Sequence, residues 1–190
     1  MSERAEQKER RMGQILTIAL DEFICKGFYG TSTREISRIA GVSSGLMFHY
    51  FKNKQALYER LIEIGCQKLE FDERTAYENP LEFFRESAGD MLLNLKSNPV
   101  FSKMFVFMNN AHYMQDISPY ANELLRRHDV VSQSVPIMIR GQGLGQLKDG
   151  NPRALSIAFW CSLQGIAEAF AYSEDEPLPT IEWLIDIIRK

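Results

Sequence analysis

The chain has 190 residues, 45% of them hydrophobic and 25% charged, which excludes long disorder and allows one sizeable core or a small module fused to a larger one. Its formal net charge of −3 is unevenly divided: residues 1–60 hold ten Lys/Arg against seven Asp/Glu, a net +3, leaving twelve against eighteen, a net −6, for 61–190. A basic head on an acidic body implies that only the first segment meets a polyanion.

Cys25, Cys66 and Cys161 lie far apart with no second Cys or His at metal-ligand spacing, so they read as small buried hydrophobes in a reducing compartment, and neither metal nor cofactor is expected. The N-terminus, MSERAEQKERRMGQ, is charged and lacks a signal-type apolar run. No later stretch approaches an uncharged membrane span of about 20 residues, so a cytoplasmic protein without a membrane partner is expected.

Helical periodicity runs through nearly every segment, and no alternating run framed by turn residues makes a strand. In the first helix Met12, Ile15, Leu16, Ala19, Leu20, Phe23 and Ile24 form one apolar stripe, and Gly27 is a stop signal. A short second helix opens at Ser32, with Glu35 placed for a capping box, and ends at Gly41. Ser43 or Ser44 caps a third, running to about Phe51. Asn53 caps a fourth that continues to about Tyr77. Pro80 and Pro99 start helices near 80–97 and 99–115, and a seventh begins at Ser118 or Pro119, with Pro136 inside it as a kink. The run GQGLGQLKDGNP (141–152) is a turn region; its GQGLG neither follows a strand nor carries a nucleotide loop's Lys-Ser/Thr. Asn151 and Pro152 open a long eighth helix, and a short ninth closes the chain at 180–190. The fold class is therefore all-α, with about nine helices.

Residues 31–51 meet the requirements of a helix-turn-helix: two short helices, a glycine turn at Gly41 and a long helix on each side. Ile36, Ile39 and Ala40 are expected to bury the second helix, Val42 to plug the turn, and Met47 and Phe51 to anchor the third. Ser44, Gly45, Leu46, Phe48, His49 and Tyr50 are left as a short-polar and aromatic face that suits a major groove.

The stretch KGFYGTSTREISRIAGVSSGLMFHYFKNKQALYERLI (26–62) resembles the DNA-binding signature of the TetR family of transcriptional regulators. The resemblance covers about the first third of the chain. It implies a DNA-binding domain at 1–53 and a helical effector-binding and dimerisation domain at 54–190. It further implies that Thr33 neighbours a phosphate and base edge, and that Ser43, Ser44 and Gly45 start the recognition helix, where small residues permit close approach. Phe48, His49 and Tyr50 become the groove-facing set, and Lys54 a phosphate clamp at the start of the fourth helix. The family commonly has Tyr where this chain has Phe48, so apolar contact replaces a phosphate hydrogen bond there. Structural packing is the competing reading for Phe48 and Tyr50. The N-terminal Arg4, Lys8, Arg10 and Arg11 are either phosphate contacts or a solvated helix end.

In the body, Phe83, Phe84, Met91, Phe101, Met104, Phe105, Phe107, Met108, Tyr113 and Met114 concentrate in two helices, and the helix at 99–115 is apolar almost all round. On sequence alone this is a plain core; the resemblance implies a small-molecule cavity among these middle helices. The lining candidates are then Phe84, Met91, Phe101, Met104, Phe105 and Met108. His112, Tyr113, Tyr120, His128, Asn109 and Asn110 are candidates to orient a ligand. His112 and His128 have no third ligand for a metal.

In the eighth helix Leu155, Ala158, Phe159, Ser162, Leu163, Ile166, Ala167 and Phe170 form one stripe, and Trp160, Cys161, Gly165 and Ala169 a second, small-residue face. Ala158, Trp160, Cys161, Gly165 and Ala169, with Trp183, Leu184, Ile187 and Ile188 of the last helix, are expected to form a two-fold homodimer interface, as the resemblance also implies. The expected function is sequence-specific regulation of transcription by a homodimer on pseudo-palindromic double-stranded DNA, as a repressor released by a small apolar or aromatic effector. A DNA-organising or activating protein without an effector is the alternative. An enzyme ranks far below, since no nucleophile-base or paired-carboxylate arrangement stands out.

Overall fold

The computed structural model describes residues 3–67, 73–114, 117–173 and 175–190, and within them the chain is all-helical apart from one isolated bridge between Leu147 and Arg189. The helices are α1 (Glu3–Gly30), α2 (Thr33–Ile39), α3 (Ser44–Tyr50), α4 (Lys54–Gln67), α5 (Glu73–Glu78), α6 (Pro80–Ser97), α7 (Pro99–His112), α8 (Pro119–Arg127), α9 (Val130–Gly143), α10 (Pro152–Tyr172) and α11 (Ile181–Ile185). Residues 68–72 of the expected fourth helix and the side chain of Arg4 lie outside the described residues.

Most ends obey local chemistry. Gly27 takes φ 68°, a left-handed conformation open to glycine, where the regular part of α1 ends. Asn79, Asn98, Ser118, Asp129 and Asn151 each cap the helix that follows, and four of those five helices begin with proline, whose missing N–H is no loss there. The expected seventh helix is two: it breaks at His128 and restarts at α9, capped by Asp129, while Pro136 stands inside α9 without ending it.

Two apolar clusters hold the molecule together. The first joins Ile15, Leu20, Phe23, Ile36, Met47, Leu57 and Ile62 to Phe107, Ala111 and Leu125 of α7 and α8. At its centre Tyr58 packs edge-on against Phe23 at 4.9 Å, Phe107 at 4.8 Å and Phe28 at 5.1 Å, and burial pushes its hydroxyl pKa up to about 12. This cluster crosses the expected 53/54 boundary, so α4 belongs to head and body together. An ion pair between Lys103 and Asp21 (2.8 Å) adds a second tie from α7 to α1.

The second cluster packs α6, α9, α10 and α11 around Phe84, Phe159, Leu163, Ile137 and Met138. Phe84 and Met91, expected to line a cavity, are buried here; Phe84 meets Phe159 edge-on at 5.0 Å. Leu184 and Ile188, expected at a dimer interface, are buried in the same cluster because the chain end folds back: Lys148 N donates to Ile188 O (2.7 Å) and Lys190 N to Gln146 O (3.1 Å). Cys25 and Cys161, expected to be buried, are exposed, and the expectation that no stretch approaches a membrane span is also corrected. α10 is long and apolar enough to cross a membrane, with mean hydropathy 1.3 over 18 residues. Its residues Phe159, Leu163, Ala167 and Phe170 are nonetheless buried in the body.

Candidate nucleic-acid interface and effector cavity

The head is built so that α3 is anchored by one side and bare on the other. Ser32 Oγ accepts from Glu35 N (3.2 Å) to start α2, and Ser43 Oγ accepts from Leu46 N (3.1 Å) to start α3. Gly41 turns between them with φ 62°, and Val42 N donates to Ser37 O (3.0 Å). The reciprocal half of the expected capping box is replaced by an ion pair: Glu35 turns its carboxylate to Lys26 (3.1 Å). The buried side of α2 is Ile36 and Ser37, not Ile39, which is 45% exposed; Ser37 Oγ donates to Thr33 O (2.7 Å), so the hydroxyl is satisfied inside.

Met47 and Phe51 anchor α3 as expected, and Tyr50 is half-buried against the first cluster. Ser43, Ser44, Gly45, Phe48 and His49 are all exposed, Phe48 by 54%, and Thr33 is half-exposed. Gly45 has no need of its own inside the protein. Its φ is not positive, and a β-carbon there would meet nothing nearer than Ser43 Oγ at 4.0 Å.

Lys54 is engaged differently from the expected phosphate clamp. Its Nζ donates to Phe28 O (2.5 Å) and Thr31 O (2.9 Å) and lies 4.3 Å from the Phe28 ring centroid, so two of its three protons hold the end of α1 and one is left for a phosphate. Lys26 is held by Glu22 (2.6 Å) and Glu35, whose hydrogen bonds raise its pKa above the ordinary lysine value. Exposed Arg34 and Lys52, passed over in the sequence, carry no ion pair among the described residues; their signal was the absence of an acidic residue at helical spacing on their own side.

A second site is a cavity of about 630 Å³ bounded by α4, α7, α10 and the α8–α9 junction. Phe101, Met104, Phe105, Met108, His112, Tyr113 and His128 line it, as expected. Phe84 and Met91 do not, being in the closed cluster, and neither does Tyr120, which is 52% exposed and donates its hydroxyl to Glu63 Oε1 (2.8 Å). Asn94, Asn98, Asp129, Arg153 and Gln164 also line it and were missed. Two of these, Asn98 and Asp129, are helix caps, and a cap between two apolar helices was the legible signal. α4 touches the cavity at Ile64 and Gly65, where it rests directly on α7: a β-carbon on Gly65 would sit 2.3 Å from Met108 Sδ.

Of the expected dimer residues, Ala158, Cys161, Gly165 and Ala169 form an exposed row on α10, Trp183 is 68% exposed and Ile187 is half-buried. Trp160 is half-buried instead, its Nε1 donating to Ser134 Oγ (2.9 Å), and both it and Cys161 line the cavity.

Two short capped helices across a glycine turn, with a bare small-and-aromatic face on the second, define a helix-turn-helix DNA-binding protein. Residues 15–61 match the family described as "Bacterial regulatory proteins, tetR family". The chain is 28% identical over 159 residues to the HTH-type transcriptional regulator RutR of Escherichia coli (strain K12), covering 81% of this chain and 72% of RutR. Its fold is similar to that of a HlyIIR mutant protein (TM-score 0.73, 19% identity, 96% of this chain and 98% of that one). It is also similar to AibR solved with isovaleryl coenzyme A and operator DNA (TM-score 0.71, 19% identity, 93% and 94%). Residues 15–61 thus carry the DNA-binding module of the TetR family, and over most of its length the chain is similar to helix-turn-helix transcriptional regulators.

Proposed function

We propose that this regulator is a homodimeric repressor in the cytoplasm, which binds a pseudo-palindromic operator through α3 and lets go when a small molecule fills the cavity. The observation that carries the DNA half is Gly45, a glycine in a short helix with no internal reason for its missing side chain. In the groove, that gap admits the DNA. Phe48 supplies exposed apolar surface for a thymine methyl, and Ser43, Ser44, His49 and Thr33 surround it with short polar groups.

The effector half rests on α4. Lys54 at its first residue holds the end of α1 in the head, and Gly65, about 16 Å along the axis, is in contact with Met108 on the cavity wall. A ligand that displaces Met108 therefore bears on the far end of the helix that positions the head, and the two heads of a dimer lose the spacing of one DNA turn. The similar fold of AibR, solved with both a ligand and operator DNA, supports this two-site reading. A DNA-organising protein without an effector would have a closed core in place of the cavity. The row Ala158, Cys161, Gly165 and Ala169 supports close packing of α10 on its copy across a two-fold axis, with Trp183 at the rim. In this reading the chain binds and releases DNA and catalyses nothing.

The test is a ligand screen by release of a fluorescent operator duplex. Release by a compound that fails to act on a variant with a filled cavity, such as Ile157→Phe on the α10 wall, is the expected outcome. Compounds that bind the protein and leave the duplex in place would refute the release mechanism.

A further inference from the structure

Three amides on the cavity wall are turned in one sense. Asn109 Nδ2 lies 3.4 Å and Gln164 Nε2 2.9 Å from the same oxygen, Glu168 Oε1, and Asn94 Nδ2 donates to Asp90 O at 2.7 Å. A carboxylate or a carbonyl only accepts, so these partners fix which end of each amide is the NH2 group. What the three amides keep for a ligand is their carbonyl oxygens. His128 adds to them: its Nδ1 lies 2.8 Å from Leu124 O, which calls for a proton on Nδ1 and leaves Nε2 an acceptor in the neutral ring. Asn98 is turned the other way, its Oδ1 accepting from Val100 N at 3.1 Å.

Charge points in the same direction. Glu168 is half-buried on α10, receives the two amide hydrogen bonds and forms no ion pair among the described residues. Asp129, on the wall itself, has no cation partner among them either; its oxygens accept from Val131 N (3.1 Å) and Ser132 Oγ (2.5 Å). Arg153 is exposed where solvent screens it, and it donates to Ser132 Oγ at 3.0 Å. A carboxylate partly withdrawn from water behind an apolar wall leaves a negative potential in the cavity. The rings of Phe101, Phe105 and Trp160 favour a cation in the same space.

Resting on the effector reading above, the geometry points to the ligand class: the cavity takes an organic cation bearing N–H donors, a primary or secondary ammonium or an amidinium on an apolar or aromatic body. Asn109 and Gln164 accept its hydrogen bonds, and Glu168 behind them supplies the counter-charge. Carboxylates of the same size and shape are disfavoured by the same field.

The experiment is calorimetric titration of the full chain at pH 7 with an isosteric pair, 4-phenylbutylammonium and 4-phenylbutyrate, on the native protein and on Glu168→Gln, which keeps an acceptor for both amides and removes the charge. The ammonium should bind at least about tenfold more tightly than the carboxylate, and the preference should shrink to about threefold or less in the variant. Trimethylation of the ammonium, which keeps the charge and removes the N–H donors, should weaken binding to the native protein about tenfold and needs no variant. Equal or tighter binding of the carboxylate overturns the proposal and leaves the effector reading standing. A preference that survives in Glu168→Gln overturns the role given to Glu168. No binding of either compound overturns the proposal together with the effector cavity itself.

Discussion

Replacing Gly45 by alanine separates what the fold requires from what DNA requires. The added β-carbon would meet only Ser43 Oγ, at 4.0 Å, and the backbone is not in the left-handed region, so alanine fits without strain. Glycine inside a helix costs about 0.5–1 kcal/mol relative to alanine, chiefly through the freedom of the unfolded chain. Gly45 lies in the first turn of a seven-residue helix, so the lower half of that range applies. A gain of about 0.5 kcal/mol raises the melting temperature of a chain this long by about 1–2 °C. If α3 enters a groove closely enough to need the gap, the same methyl group should weaken operator binding at least about tenfold, or about 1.4 kcal/mol. Thermal unfolding and fluorescence anisotropy on one preparation read both effects. A lowered melting temperature would mean that the fold needs Gly45, and unchanged DNA affinity would mean that this face does not approach the duplex.

Four further outcomes follow from the same geometry. Phe48→Ala should leave the unfolding free energy within about 0.5 kcal/mol of native, since the ring is exposed, while anisotropy shows weakened operator binding. Lys54→Ala should destabilise the head by about 1–3 kcal/mol in denaturant titration, because two carbonyls at the end of α1 lose a charged donor. A variant as stable as the native protein would refute the clamp. Ser156 Oγ is buried without a partner among the described residues, so Ser156→Ala should raise the melting temperature slightly, and a fall would reveal a partner. Burial pushes the Glu63 pKa up, but the hydrogen bonds from Arg60 and Tyr120 prevail and hold it below the ordinary 4.5. Glu63 therefore stabilises the fold above that value and loses its contribution as pH falls through the depressed one. Melting temperatures of native protein and Glu63→Gln should differ at neutral pH and converge in acid; a gap that is constant with pH would refute the link between α4 and α8.

The helix-turn-helix was legible because its signals are local: Ser32 and Ser43 cap, Gly41 turns, and each acts within four residues. Phase was less legible. α2 has only seven residues, too few for periodicity to choose between Ile39 and Ser37 as the second buried position, and the satisfied hydroxyl of Ser37 settled it. Lys54 was placed correctly at a helix start, but its partners at Phe28 and Thr31 lie 26 and 23 residues away and leave no mark on spacing. In the body, Phe84 and Phe101 have the same chemistry in the sequence, and one is sealed against Phe159 while the other lines a cavity. Periodicity reports which side of a helix is apolar and says nothing of how far away the facing helix stands. Leu184 and Ile188 were assigned to a partner because the fold-back that buries them depends on the turn at 146–148, some 40 residues earlier.

The most direct test of the account is selection of random duplex DNA on the purified protein, with the enriched sequences read for symmetry and spacing. Two inverted half-sites centred about one helical turn apart are the predicted result, with enrichment lost in Phe48→Ala. Binding that depends on salt and not on sequence, with no enriched motif, would contradict it.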